Sequence, residues 1–146
     1  MNILNEVKIE MLNKSANEGF ARVVVAALAT QLDPTIEELS DIKTAVSEAV
    51  TNAIVHGYSD MAGFVSLECR IYEGGIIEIA ISDRGRGIAD IHKARQPLFT
   101  TQPEMERSGM GFTVMETFMD EVAVESEVGR GTKITMRRKL NSVDRP

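Results

Sequence analysis

Apolar and polar positions alternate along EVKIEML, residues 6–12, as they do in a strand with one buried face. SANE follows, with Ser15 three residues ahead of Glu18, the spacing of a capping box, so a helix is predicted from about residue 16 to Leu32. Asp33-Pro34 stops it, and TIEE repeats the device with Thr35 and Glu38 at the start of a second helix. There Leu39, Ile42, Val46, Ala49, Val50, Ala53 and Ile54 recur at helical spacing and form one apolar stripe, with Gly57 suited to the C′ position. FVSLECRIY and IIEIAIS flank Gly74-Gly75 and predict a hairpin whose second strand is apolar enough to be central. Between Ile91 and Arg107 the pattern dissolves into a segment with two prolines and no sustained period, the expected mobile lid. GMGFTVMETFM predicts a third helix, and EVAVESE with TKITMRRK, joined around Gly129 and Gly131, a last hairpin.

Elements in this order predict an α/β (α+β) two-layer sandwich, a mixed, largely antiparallel sheet covered on one face by helices. The 146 residues suit one domain, expected over residues 1–140, with 141–146 as a frayed tail. Composition changes the picture in two respects. A chain 43% hydrophobic and 26% charged has no apolar run near the ~20 residues that span a bilayer, and Asn5, Glu6, Lys8 and Glu10 interrupt any leader-like start, so a cytoplasmic protein without membrane attachment is expected. A net charge of -6 disfavours direct nucleic-acid binding, so an anionic ligand would need local dipoles or a metal. The single Cys69 excludes an internal disulfide and falls on the apolar side of its strand, the place of a buried structural thiol.

Four short stretches carry candidate chemistry. Glu48 and Asn52 stand one helical turn apart at the edge of the polar face; by spacing alone they fit a solvated face, yet a carboxylate can deprotonate a hydroxyl and an amide oxygen suits Mg²⁺. DRGRGI follows directly on a buried strand, where Asp83 would accept from an exocyclic amine while Gly85 and Gly87 let backbone approach a flat ring; a plain glycine turn fits equally. RSGMGF opens the third helix, so Arg107 and free N–H groups there suit a phosphate, or Ser108 simply caps the helix. GRGT, by itself, reads as a hairpin turn, and Met110, Met115 and Met119 as core or interface filler. His56 and His92 form no pair at metal-ligand or triad spacing.

Taken in order, E-x-x-x-N on a helix, D-x-G-x-G after a strand, a lid, G-x-G at a helix start and a late G-T resemble the GHKL ATPase superfamily, from about Glu6 to Lys139. Within it, SEAVTNAIVHGY, ARQPLFTTQPEMERSGMGFTVME and FMDEVAVESEVGRGT resemble the anti-sigma factor serine kinases, most closely those of the sporulation sigma-F type. The resemblance implies a cytoplasmic homodimer that binds ATP and Mg²⁺, sequesters a sigma factor and phosphorylates a serine of an anti-anti-sigma factor. It also implies residue roles: Glu48 as general base, Asn52 on Mg²⁺ and Asp83 on the adenine amine with Gly85 and Gly87. Arg107 would meet the γ-phosphate, Ser108, Gly109, Met110 and Gly111 would line the phosphates, and Thr132 would touch the nucleotide. Arg84 and Arg86 depart from relatives, where these positions are often acidic, small or apolar. Two other readings remain: a histidine-kinase-type ATP-binding domain, and a binding module gated by nucleotide without transfer.

The first helix carries a further expectation. Phe20, Val23, Val24, Ala27 and Leu28 form a stripe suited to the sheet, while Val25, Ala26 and Ala29 share the other side with Glu18 and Arg22. That outer side, with Glu18 and Arg22, is the expected partner surface.

Overall fold

Ten residues of alternating character at the N-terminus form β1 (Ile3–Leu12), which pairs with β2 (Phe64–Tyr72) through a register in which Leu12 faces Phe64. The computed structural model describes residues 2–57, 62–96 and 111–140. Between β1 and β2 the chain makes two helices, α1 (Ala16–Ala29) and α2 (Ile36–Thr51), and an even number of helices returns it to the end of the sheet it left. β3 (Ile76–Asp83) follows β2 through Gly74 and Gly75, at φ 90° and 78°, backbone that glycine adopts without cost. A one-turn helix α3 (Ile91–Ala94), then α4 (Gly111–Phe118), β4 (Glu121–Glu127) and β5 (Gly131–Lys139) complete the order.

The sheet order is β1-β2-β3-β5-β4, with β3 in the centre, and every pairing is antiparallel. The expected mixed sheet is therefore corrected. β3 and β4 do run in the same direction, but β5 is inserted between them and pairs antiparallel with both. One face of the sheet is apolar: Leu67, Cys69, Ile79, Ile81, Ile134 and Met136 are buried there with Ile42, Val46 and Val50 of α2. The Cys69 thiol is buried among them, and desolvation pushes it up to about 12 against a small downward pull from Arg70, so it is structural as expected. The other face carries charge: Arg70 bonds the carboxylates of Glu6, Glu68 and Glu78, and Arg137 also bonds Glu78. Among the described residues, helices cover only the apolar side.

Two details of the helices depart from the pattern-based expectation. Ser15 already has helical angles, φ -57° and ψ -29°, and its side chain caps nothing, while the Glu18 carboxylate turns to Arg22 at 3.2 Å; the first capping box does not form. The second does, with Glu38 N–H donating to Thr35 Oγ1 at 3.0 Å and Thr35 N–H donating to Glu38 Oε1 at 2.9 Å. The face of α1 is also turned from the expected one: of the stripe read as inward, Leu28 is buried and Val24 packs against the core, but Phe20, Val23 and Ala27 are exposed. Ala21, Val25, Leu28 and Ala29 are buried, whereas Phe20 and Val23 are 53% and 63% exposed, because the small Ala21 and Ala29 let α1 approach α2 where larger side chains would hold it away. A 3₁₀ turn, Thr30–Leu32, and a left-handed Asp33 end it just ahead of Pro34, as predicted.

Removing the working cap should matter and removing the idle one should not. Thr35→Ala is expected to lower the unfolding free energy by ~1 kcal/mol and Ser15→Ala by less than ~0.5 kcal/mol in urea titrations. Equal losses would contradict the cap geometry.

Candidate functional site

The apolar face of the central sheet changes character at one end. Antiparallel register aligns Ile79, Met136 and Val122 in one row across β3, β5 and β4, and Ile81, Ile134 and Val124 in the next. The following row is Asp83, Thr132 and Ser126. All three project to the helix-covered side, by the two-residue period of a strand, so a polar row closes an apolar core.

Asp83 is only 7% exposed. Its carboxylate accepts the Gly85 N–H at 2.9 Å and also the Thr132 N–H. Desolvation raises its pKa above the ordinary 3.8, and those two backbone bonds offset part of the rise. An ionised carboxylate has about four acceptor positions, so two remain for a donor from outside the protein.

The turn that follows Asp83 is locked to the β4–β5 hairpin by close backbone contact. Gly87 has φ 76°, and a Cβ there would lie 2.3 Å from the carbonyl oxygen of Glu127. Gly131 has φ 113°, and its Cβ would lie 2.0 Å from the carbonyl oxygen of Asp83. No side chain fits at either position. Gly129 N–H donates to Arg86 O at 2.8 Å, and Ile88 N–H donates to Ser126 Oγ at 2.7 Å, so hydrogen bonds join the surfaces that the glycines bring together. GRGT is thus a hairpin turn that also positions Asp83.

Glu48 and Asn52 sit one turn apart and are both half-buried. Asn52 is the point where α2 gives way to a π-helical segment, Asn52–Gly57, with the Asn52 N–H shared between the carbonyls of Glu48 and Ala49. Continuous α-helix closed by Gly57 at C′ was expected; the π turn widens the helix just where the candidate amide stands, a frequent companion of functional sites. The segment packs against both β3 and β5, the strands that carry Asp83 and Thr132. Gly111 begins α4, which packs on α2. Among the proposed phosphate contacts, Arg107, Ser108, Gly109 and Met110 lie outside the described residues, as do residues 97–107 of the expected lid and the tail 141–146. The described residues contain no group of three or more His, Cys, Asp or Glu side chains able to hold a metal ion. They also contain no helix long and apolar enough to cross a membrane.

Comparison with known proteins decides the family. Residues 13–138 match the histidine kinase-like ATPase domain. The chain is 57% identical over 141 residues to the anti-sigma F factor of Clostridium novyi, covering 96% of this chain and 98% of that one. It is 60% identical over 139 residues to that of Clostridium perfringens, covering 94% and 99%. This chain belongs to the anti-sigma F group of the histidine kinase-like ATPase family. The anti-sigma F factor of Geobacillus kaustophilus is 58% identical over 137 residues, 93% of each chain. The fold itself recurs in the RsbU and RsbW domains of Rv1364c from Mycobacterium tuberculosis, with TM-score 0.66 at 20% identity over 93% of this chain and 32% of that one. Membership makes the domain an ATPase-type nucleotide-binding unit.

Ser126 is the residue that pattern and motif passed over. The signal was present in VAVES: an alternating strand whose inward positions, Val122 and Val124, end on a serine.

The raised pKa of Asp83 has a signed consequence. The folded state holds that proton more tightly than the unfolded chain, so the nucleotide-free protein loses stability as pH rises through the window from 3.8 to the raised value. Asp83→Asn lacks this slope. Between about pH 7 and about pH 4 the urea midpoint of the wild type is therefore expected to gain on that of Asp83→Asn, and a pH-independent gap would contradict the burial of the carboxylate.

Proposed function

We propose that this chain is an anti-sigma factor that binds and inhibits a sporulation sigma factor and, as a Mg²⁺- and ATP-dependent protein-serine kinase, phosphorylates and inactivates an anti-anti-sigma factor. The observation that carries the reading is identity of 57% and 60% to anti-sigma F factors along almost the whole chain. The polar row at the end of the core supports its nucleotide half: Asp83 keeps acceptor positions for the amine of adenine in a place shielded from water.

The chemistry assigned to each residue follows from type and position. Glu48 accepts the proton of a substrate serine hydroxyl as its oxygen attacks the γ-phosphorus; the P–O bond to the β-phosphate breaks and ADP leaves. Asn52, one turn on, is the neutral ligand for Mg²⁺, which when bound neutralises phosphate charge. Arg107 supplies a charged fork to the γ-phosphate, and Ser108, Gly109, Met110 and Gly111 follow the phosphates along the helix start. Gly85 and Gly87 keep the loop beside the ring free of side chains, and Thr132 touches the same ring.

For the protein partners, the exposed side of α1 is not the one expected, since Val25 and Ala29, read as outward, are buried. Phe20 and Val23 stand exposed, whereas Arg22 lies on the side toward α2, where it reaches Glu18 at 3.2 Å and Ser47 Oγ at 3.3 Å. Exposed large apolar residues, with the Glu18–Arg22 pair at the edge toward α2, suit a surface that another protein covers, a sigma factor, an anti-anti-sigma factor or the second subunit of a homodimer.

Two experiments test these roles. Glu48→Gln should retain ATP affinity and lose serine phosphorylation by ~10²–10⁴-fold, measured with the anti-anti-sigma partner and phosphosite mapping. Undiminished transfer would remove Glu48 as base, and a phosphate found on histidine would overturn the serine assignment. Arg22→Glu should weaken at least one protein partner while ATP affinity holds and stability moves by less than ~0.5 kcal/mol. Unchanged affinity for both partners would take Arg22 out of the interface.

A further inference from the structure

The hydroxyl of Ser126 makes three contacts, and they admit one arrangement of protons. Ile88 N–H lies 2.7 Å from Ser126 Oγ and can only donate. Gly131 O lies 3.0 Å from Ser126 Oγ and can only accept, so the single Ser126 proton goes to it. The third contact joins Ser126 Oγ to Thr132 Oγ1 at 2.8 Å. With the Ser126 proton committed, Thr132 must donate there. Ser126 is then saturated, with two bonds accepted and one donated.

The consequence falls on Thr132. Its only hydroxyl proton points back into the protein, and what it offers elsewhere is lone pairs. Thr132 lies beside Asp83 in register, and an ionised Asp83 also only accepts. The side chains of this row, Asp83, Thr132 and Ser126, therefore offer a ligand acceptors alone. An amine at position 6 of a purine matches it, whereas a carbonyl at the same position sets acceptor against acceptor in a buried place, where an unmade hydrogen bond is expensive.

We infer that Ser126 is a specificity-determining positioning residue, which holds the Thr132 hydroxyl as an acceptor and so makes the site select 6-aminopurine over 6-oxopurine nucleotides. Ser126 acts through Thr132 and through the Ile88 amide, and touches no ligand itself. The inference rests on the reading that Asp83 recognises the purine ring, and it goes beyond that reading because Asp83 alone would leave Thr132 free to rotate and donate to a carbonyl.

The test uses ATP and inosine triphosphate, which differ at position 6 and in the proton that a 6-oxopurine carries on N1, titrated calorimetrically into wild type and Ser126→Ala. Wild type should prefer ATP, and Ser126→Ala should lower the ratio of the two affinities by about tenfold, the scale of one hydrogen bond, since Thr132 can then turn its proton outward. In a Thr132→Val background, which has no hydroxyl to turn, adding Ser126→Ala should leave the ratio unchanged. Loss of both affinities by the same factor in Ser126→Ala would show that the serine only braces the loop and would overturn the inference. Equal affinities in the wild type would overturn the purine reading itself, and the inference with it. Circular dichroism checks folding, and Ser126→Cys, close in volume with a far weaker donor and acceptor, carries the same comparison should Ser126→Ala not fold.

Discussion

A Cβ on Gly131 would stand 2.0 Å from the backbone oxygen of Asp83, and one on Gly87 would stand 2.3 Å from that of Glu127. The whole site depends on this absence of side chains. Because two backbones meet without a Cβ between them, the turn after the central strand and the last hairpin behave as one body, and Asp83 is held by the Gly85 and Thr132 amides rather than by neighbouring side chains. Its carboxylate is thus aimed without being neutralised. An arginine or lysine partner would have fixed it as firmly, but would have consumed the acceptor capacity that a ligand needs.

The same arrangement explains a cost. Apolar rows led by Ile79 and Ile81 stabilise the sheet, and the next place in that series goes to a carboxylate that burial disfavours in its charged form. A branched aliphatic residue would pack better there. Sites built this way trade stability for a preorganised acceptor, and the π turn at Asn52 belongs to the same pattern, since it gives up regular helix bonding where the candidate amide stands.

Much of this was legible in the chain. Element order, the central β3, the Thr35–Glu38 cap and the glycine hairpin all follow from local spacing, because each is decided by residues within a few positions of one another. The face of α1 was not. Phe20 and Val23 outweigh Ala21 and Ala29 on any scale of hydrophobicity, yet closeness to α2 decides which face turns inward, and only the partner helix sets that distance. Ser15 shows the same limit: its motif matched, but Glu18 found Arg22 first. For the site, Asp83 and the glycines stood out as a motif, whereas Ser126 did not, since its importance lies in the row it shares with Thr132 across two strands and no short motif reports a register.

At the centre of the account stands a purine amine read by a buried acceptor in a locked loop. Calorimetric titration of the wild type with ATP and with GTP, in Mg²⁺, tests it most directly. ATP is expected to bind at least about tenfold more tightly, because GTP brings a carbonyl to the place where Asp83 needs a donor. Equal affinity for the two nucleotides would contradict it.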